Sequence, residues 1–162
     1  MNVLDLIDTR QGTNNQYSLS NGNTLPYTTL PFGMNAFVMQ SRMNDVRYFN
    51  AHDHTTYGVR LSHQPSPWMG DYAFVVFNIL HLNDEEEAKL MNEDDGQKLS
   101  EEMNKSSYQP NYATFKPHHL SYQRLRDRLK IDLVPTTYGA AIQTQNITAE
   151  NNLFFSVAIS EK

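Results

Sequence analysis

The chain has 162 residues, of which 39% are hydrophobic and 19% are charged, a balance typical of one globular domain with a real core. It has no cysteine, which excludes a disulfide framework and thiolate chemistry. The net charge of −5 comes from one acidic stretch, and the rest is near neutral, so the sequence argues against a nucleic-acid partner, which would need a basic face.

The start of the chain, Met-Asn-Val-Leu-Asp-Leu-Ile-Asp, carries acids where a secretory signal carries basic residues and a long apolar core. No run approaches the roughly 20 apolar residues that a transmembrane helix needs. We therefore expect a cytoplasmic protein with no membrane partner.

In chain order, residues 3–7 are short and apolar and predict a first strand or a sheet edge. Turn chemistry dominates from Asp8 to Pro26, where Asn21-Gly22 supplies positive φ. The next strand is predicted near 35–40, and a short strand is predicted at 57–61.

Residues 72–80 (Tyr-Ala-Phe-Val-Val-Phe-Asn-Ile-Leu) are aromatic and β-branched and predict the strongest strand of the chain. Because this segment is apolar on both faces, we expect it to lie centrally in a sheet. Residues 83–107 follow, with nine acids and three lysines. We interpret them as a long solvated connection with helical turns near 85–91 and 97–103, and not as a functional acidic patch.

After Pro110, five short strands are predicted, and turns separate them. In the third of these, Leu129, Ile131 and Leu133 alternate with Lys130, Asp132 and Val134, the period-two pattern of a strand with one buried face. The predicted segments are 112–116, 120–125, 128–134, 138–144 and 153–157. Many short strands with almost no helical periodicity indicate an all-β fold, a single antiparallel β-sandwich over residues 1–162.

The loop from Tyr57 to Tyr72 carries the most chemistry. It holds the only tryptophan, Trp68, together with His63 and Asp71, and its prolines make it stiff. An aromatic ring beside hydrogen-bonding groups suits a sugar, which offers an apolar face and a rim of hydroxyls. The alternative from the residues alone is that Trp68 fills the core and His63 has a structural role.

Other catalytic patterns are weak. His52-Asp53-His54 is the best metal candidate because the two histidines of such a triplet share one side of a strand, but the sequence does not bring His63 near it. The pair His118-His119 is weaker still. We find no nucleophile elbow, no phosphate-binding glycine loop and no convincing pair of catalytic carboxylates.

An ordered set of motifs carries a resemblance to a known family. These are Ile7-Asp-Thr-Arg-Gln-Gly-Thr, then the run from Gly22 through Leu-Pro-Phe-Gly-Met34, then Tyr57-Gly-Val-Arg-Leu-Ser-His, and finally Gly70-Asp-Tyr72. Together they resemble the N-terminal domain of glycoside hydrolase family 92 over essentially the whole chain.

The resemblance implies a fold and an activity. Members of this family are calcium-dependent exo-acting α-mannosidases that invert the anomeric centre, and their N-terminal domain is a β-sandwich. A large (α/α)6 barrel follows that domain and carries the catalytic acid, the base and most or all calcium ligands. The resemblance thus implies a chain that is part of a larger enzyme, inactive alone and without a calcium ion of its own, with the barrel and a mannose-containing glycan as its partners.

We expect this chain to supply loops to the sugar pocket. The substrate-binding candidates are Trp68, which would stack on the sugar, with His63 and Asp71 as hydrogen-bond partners or supports, and Arg10, Asn21 and Phe32 as weaker candidates. No catalytic and no metal residue is predicted in this chain. Two alternatives stay open: a stand-alone carbohydrate-binding sandwich and a purely structural interaction domain.

Overall fold

The computed structural model describes residues 2–13, 18, 24–43, 48–63, 69, 71, 74–91, 105–147 and 152–158, with 90 and 152–158 described by their backbone alone. Within these ranges the chain forms antiparallel sheets, one short α-helix and two 3₁₀ turns. The predicted all-β, sandwich-like fold is confirmed. None of the described helical segments has the length and hydropathy needed to cross a membrane.

The first half of the chain builds a small sheet. Its strands are β1 (Ala36–Met39), β3 (Val59–Ser62) and β4 (Phe74–Phe77), in the order β1-β3-β4. The two-residue strand β2 (Thr55–Thr56) pairs with β5 (Ser106–Ser107), which follows the helix α1 (Asp84–Leu90). All of these pairs are antiparallel. Strands are thus confirmed near 35–40 and 57–61.

The second half forms a five-stranded antiparallel sheet in which each strand pairs with its neighbours in sequence. The strands are β6 (Thr114–Lys116), β7 (His119–Arg124), β8 (Leu129–Thr136), β9 (Gly139–Asn146) and β10 (Asn152–Ala158). All five segments predicted after Pro110 are therefore strands, and each end lies within two residues of its predicted position.

One apolar core joins the two sheets. The predicted alternation in β8 is confirmed, since Leu129, Ile131 and Leu133 are buried there. They belong to the same cluster of buried residues as Phe37 and Met39 of β1. Each fully buried aliphatic side chain stabilises the fold by roughly 1.5–3 kcal/mol, so burial in this shared cluster contributes strongly to stability.

Two predicted strands are corrected. Residues 3–7 do not form a strand: Val3–Leu6 is a 3₁₀ turn, because the Asn2 side chain accepts a hydrogen bond from the Leu4 amide and caps it. The segment 72–80 is not central. Within the described residues β4 has a partner strand on one side only, and Phe74 and Val75 are 50% and 60% exposed.

The helix α1 opens the acidic connection, as predicted near 85–91. Asn83 accepts a hydrogen bond from the Glu86 amide, and the Glu86 carboxylate accepts one from the Asn83 amide. This reciprocal capping and the acidic first turn stabilise a helix start. The helical turn predicted near 97–103 lies outside the described residues.

Gly58 generates a first prediction, because it lies at φ +115° and a Cβ there would collide with the Phe77 carbonyl of β4. We expect Gly58→Ala to lower the free energy of unfolding by more than about 1 kcal/mol in urea titrations. Gly33→Ala is the matched control, since its Cβ would meet nothing within 4 Å and should leave stability unchanged or raised. Equal effects of the two substitutions would contradict the close approach of β4.

Asp132 on β8 generates a second prediction. Burial raises the pKa of this carboxyl group, but hydrogen bonds from His119, Lys130 and Ser121 outweigh burial and lower the pKa from 3.8 to about 2. A carboxyl group with a depressed folded-state pKa stabilises the fold above its unfolded pKa, and this contribution is lost as the pH falls from about 4 to about 2.

We therefore expect Asp132→Asn to cost on the order of 2 kcal/mol at pH 7. The difference from the unsubstituted protein should vanish towards pH 2, as followed by urea unfolding at several pH values. A difference that stays constant with pH would contradict the assignment. Asp5→Asn, at a 57% exposed side chain, is the control and should change stability little at pH 7.

Candidate functional site

The small sheet carries a buried ion pair at one end. The Arg60 Nε donates to Asp71 Oδ2 at 2.9 Å, and the two side chains are 9% and 3% exposed. The Ser62 hydroxyl donates to the same carboxylate oxygen at 2.8 Å. Since charged groups are rarely buried unless they are paired, this pair marks the strongest polar constraint in the described part of the first half of the chain.

The strand geometry explains why these groups meet. Arg60 and Ser62 are two residues apart on β3 and so point to the same face, opposite to the core residues Val59 and Leu61. Phe74 of β4 lies directly across from Ser62 in the register. The start of β4 therefore places an aromatic ring beside the arginine.

Two aromatic rings enclose the Arg60 guanidinium. Its carbon lies 4.1 Å from the centre of the Tyr48 ring and 3.6 Å from that of Phe74. Cation–π contacts of this kind are worth about 2 kcal/mol when they are desolvated. We call Arg60, Asp71, Ser62, Tyr48 and Phe74 the Arg60 cluster.

The phenols near the cluster stay neutral. Burial raises the pKa of Tyr48 far above 10, and it also raises the pKa of Tyr27, which lies beside Tyr48. The cluster therefore holds no phenolate base near neutral pH. Its position gives it another role: Ser62 precedes, and Asp71 ends, the 63–71 loop, so the hydrogen bond between them ties both ends of the loop together.

A second polar feature, the histidine cleft, lies on other elements. It has a volume of about 600 Å³ and is lined by Arg10, Ala51, His52, His54, Gln109, Pro110 and Asn111. Arg10 is fixed there by Asp8, whose carboxylate it contacts at 2.7 Å, and by the Phe115 ring at 4.9 Å. The hydrogen bond from Arg10 holds the pKa of Asp8 below its ordinary value.

Asp53 of the His52-Asp53-His54 triplet is held by Ser41 and Arg42. Its carboxylate accepts hydrogen bonds from the Ser41 hydroxyl at 2.6 Å and from Arg42 Nε at 2.9 Å. Burial raises the pKa of Asp53, but these bonds outweigh it and lower the pKa. Among the residues that the structure describes, no three histidine, cysteine or acidic side chains are grouped to hold a metal ion.

The predicted site residues fall in different places. Asp71 lies in the Arg60 cluster, and His63 is exposed and follows Ser62 directly. Arg10 belongs to the histidine cleft, and Phe32 is 41% exposed in the turn before β1. Trp68 and Asn21 lie outside the described residues. Asp71 thus contacts Ser62, the residue before His63. Arg10 and Phe32 lie elsewhere in the described structure.

Arg60 and Tyr48 were not predicted as site residues. The available signal was an arginine between two apolar residues in a short strand, Val59-Arg-Leu-Ser62, with an acid nine residues after that strand. A charge in such a position needs a buried partner, but the sequence alone does not show which acid supplies it.

The chain is similar to known proteins in sequence and in fold. The sequence model of one protein family, the glycosyl hydrolase family 92 N-terminal domain, matches residues 6–151. In addition, 11 chains of solved structures match this chain. One is a family GH92 inverting mannosidase from Bacteroides thetaiotaomicron VPI-5482, with a TM-score of 0.64 and 22% identity over 88% of this chain. This chain spans 18% of that structure's length, and the likeness shows the fold. No curated protein sequence matches.

The Arg60 cluster generates a third prediction. Asp71→Ala should lower the free energy of unfolding by about 3–5 kcal/mol, because it leaves the Arg60 guanidinium buried without its counter-ion. A double-mutant cycle with Arg60→Ala, followed by urea unfolding, should give a coupling energy of at least about 1 kcal/mol. Asp5→Ala, which removes an exposed carboxylate near His118, is the control and should change stability little. Additive effects of the two substitutions would show that the pair does not couple.

Proposed function

The chain is an N-terminal domain of glycosyl hydrolase family 92. From this we propose that it forms part of an enzyme that removes terminal mannose from α-mannosides with inversion. The family match over residues 6–151 carries the proposal. The structural neighbour is an inverting mannosidase by its title, and it supports the same activity for the longer protein to which this domain would belong.

We place the chemistry outside this chain. An inverting glycosidase needs one carboxylic acid whose pKa is raised and a carboxylate base, roughly 6.5–9.5 Å apart. The described carboxyl groups with shifted pKa values, those of Asp8, Asp53 and Asp132, all have lowered pKa values. Asp71 is held in an ion pair with Arg60. These observations favour a barrel elsewhere in the same polypeptide as the source of both catalytic groups.

The proposed contribution of this chain is the 63–71 loop. Trp68 would stack on the apolar face of the sugar, and His63 would hydrogen-bond a hydroxyl. Asp71 would support the loop, since its carboxylate is bound by Arg60 and Ser62. A loop whose two ends are tied presents its side chains with little loss of conformational entropy when the ligand binds.

The other candidates play lesser parts in the proposal. Arg10 is held by Asp8 and Phe115 and would shape the surface around the histidine cleft. Asn21 and Phe32 would lie at the rim of the pocket. For calcium, the described residues offer no set of three suitable ligands, so we propose that the ion, which would bind sugar hydroxyls in the complete enzyme, is held by other parts of the protein.

The activity itself generates a fourth prediction. The longer protein should release mannose from α-mannosides in the presence of calcium, and proton NMR should detect the β-anomer first because the mechanism inverts. The 162-residue chain alone should release none. Release by this chain alone would overturn the division of labour, and initial formation of the α-anomer would overturn the inverting mechanism.

Within the same assay, Trp68→Ala in the longer protein should lower kcat/KM by about tenfold or more, because a stacking surface for the sugar is lost. Tyr138→Ala is the matched control: it removes an aromatic side chain that is 76% exposed in the turn between β8 and β9 and should leave kcat/KM unchanged. If thermal unfolding of the Trp68→Ala protein shifts strongly while kcat/KM does not change, Trp68 is a core residue.

A further inference from the structure

Arg60 lies where the sheet would accept an apolar residue. It is in the middle of β3, the central strand of the small sheet, and it pairs with Val38 of β1 on one side and with Val76 of β4 on the other. Val38 is fully buried, and Arg60 itself is only 8% exposed. A charge in such a position needs a reason beyond packing, because charged side chains are almost never buried unless they are paired.

Stability alone does not supply that reason. Removing the two charges of an ion pair from water costs several kcal/mol per ion, and replacing a buried pair by apolar side chains of similar volume is often neutral or stabilising. A buried pair is explained better when the geometry that it fixes has a use. In this sheet, the group that the pair fixes is the carboxylate of Asp71.

Four side chains hold the Arg60 guanidinium in one orientation. Its carbon lies 4.1 Å from the centre of the Tyr48 ring and 3.6 Å from that of Phe74. Its Nε donates to Asp71 Oδ2 at 2.9 Å, and its Nη1 donates to Gln40 Oε1 at 3.5 Å. A planar guanidinium can stack on rings and donate in two directions at once, which the point charge of a lysine cannot do. The position of the carboxylate therefore depends on an arginine and not on positive charge alone.

Asp71 connects this orientation to the candidate sugar-binding residues. Its Oδ2 also accepts a hydrogen bond from the Ser62 hydroxyl at 2.8 Å, and Ser62 directly precedes His63. Both ends of the 63–71 loop thus depend on one carboxylate oxygen. Because the Arg60 side chain is only 9% exposed, it can act on a ligand through Asp71 and Ser62 without touching the ligand itself.

We propose that Arg60 is a positioning residue of the proposed sugar pocket, whose stacked guanidinium fixes Asp71 and His63 for binding. This role rests on the proposed function and adds a residue that does not contact the sugar. It also separates binding from bond breaking. Since both proposed catalytic groups lie outside residues 1–162, loss of the guanidinium geometry should weaken substrate binding and leave the chemical step intact.

The first test follows the ends of the loop in the 162-residue chain, labelled with ¹⁵N. Arg60→Lys keeps the charge but loses the stacked fork, so the heteronuclear NOE of the His63 and Asp71 amides should fall. Asp132→Asn is the matched control, because we expect it to destabilise the fold at pH 7 from β8, in the other sheet. It should leave both NOE values unchanged. Unchanged values in Arg60→Lys, or equal losses in the two variants, would overturn the proposal.

The second test measures the kinetic constants of the longer protein on an α-mannoside. Arg60→Lys should raise KM by roughly three- to tenfold and leave kcat unchanged, because side chains that are less well ordered bind the ground state and the transition state equally less well. Asp132→Asn should change neither constant. A lowered kcat at an unchanged KM, or an equal rise of KM in the two variants, would overturn the positioning role.

Phe74 provides a second pair of variants in case Arg60→Lys does not fold. The Phe74 ring is 50% exposed, so Phe74→Leu, which removes the stack and keeps an apolar side chain, should fold and raise KM in the same way. Phe74→Tyr keeps the ring and should retain the original KM. Equal KM values for these two variants would overturn the proposal. If the unsubstituted longer protein releases no mannose, the proposed function fails, and the NOE measurement still decides whether Arg60 fixes the ends of the loop.

Discussion

The buried contact between Arg60 and Asp71 is the constraint on which the small sheet depends. Removing a guanidinium and a carboxylate from water costs several kcal/mol per ion, and only a close pair with further partners can offset that cost. Here those partners are the Ser62 hydroxyl and the rings of Tyr48 and Phe74. The contact therefore joins β3, the start of β4, the segment before β2 and the end of the 63–71 loop.

This constraint explains the uneven distribution of chemistry in the chain. The five-stranded sheet is regular, and most of its buried side chains are apolar members of the shared core, although β7 also carries the buried Arg124. In the small sheet, a buried ion pair and the Ser62 hydroxyl hold the two ends of the 63–71 loop together. The carboxyl groups of Asp8, Asp53 and Asp132 have lowered pKa values because they are engaged in ion pairs and hydrogen bonds within the fold. These three acids therefore stabilise the domain.

Much of the fold could be predicted from local patterns. The alternation of Leu129, Ile131 and Leu133 predicts β8 because one face of that strand is buried against the core. The same reasoning failed for Phe74 and Val75, whose apolar side chains suggested a central strand. Phe74 is apolar because it covers the Arg60 guanidinium at an edge, a reason that hydrophobicity alone does not reveal.

The candidate site was predicted only in part for a similar reason. His63 and Asp71 stand out in the sequence as polar groups on a stiff loop. The partner of Asp71 is Arg60, eleven residues earlier on β3, and nothing in the sequence shows which acid that arginine meets. Likewise, the hydrogen bonds that the buried Arg124 donates to Asn78 and Ile79 could not be predicted, because those residues lie about 45 positions earlier in the chain.

The central claim is that this domain shapes the sugar pocket while another part of the polypeptide breaks the bond. A crystal structure of the longer protein with a mannose-like inhibitor tests it most directly. The account predicts that the ligand contacts the 63–71 loop and that both carboxylates flanking the glycosidic position come from outside residues 1–162. A ligand bound far from that loop, or a flanking carboxylate supplied by this chain, would contradict it.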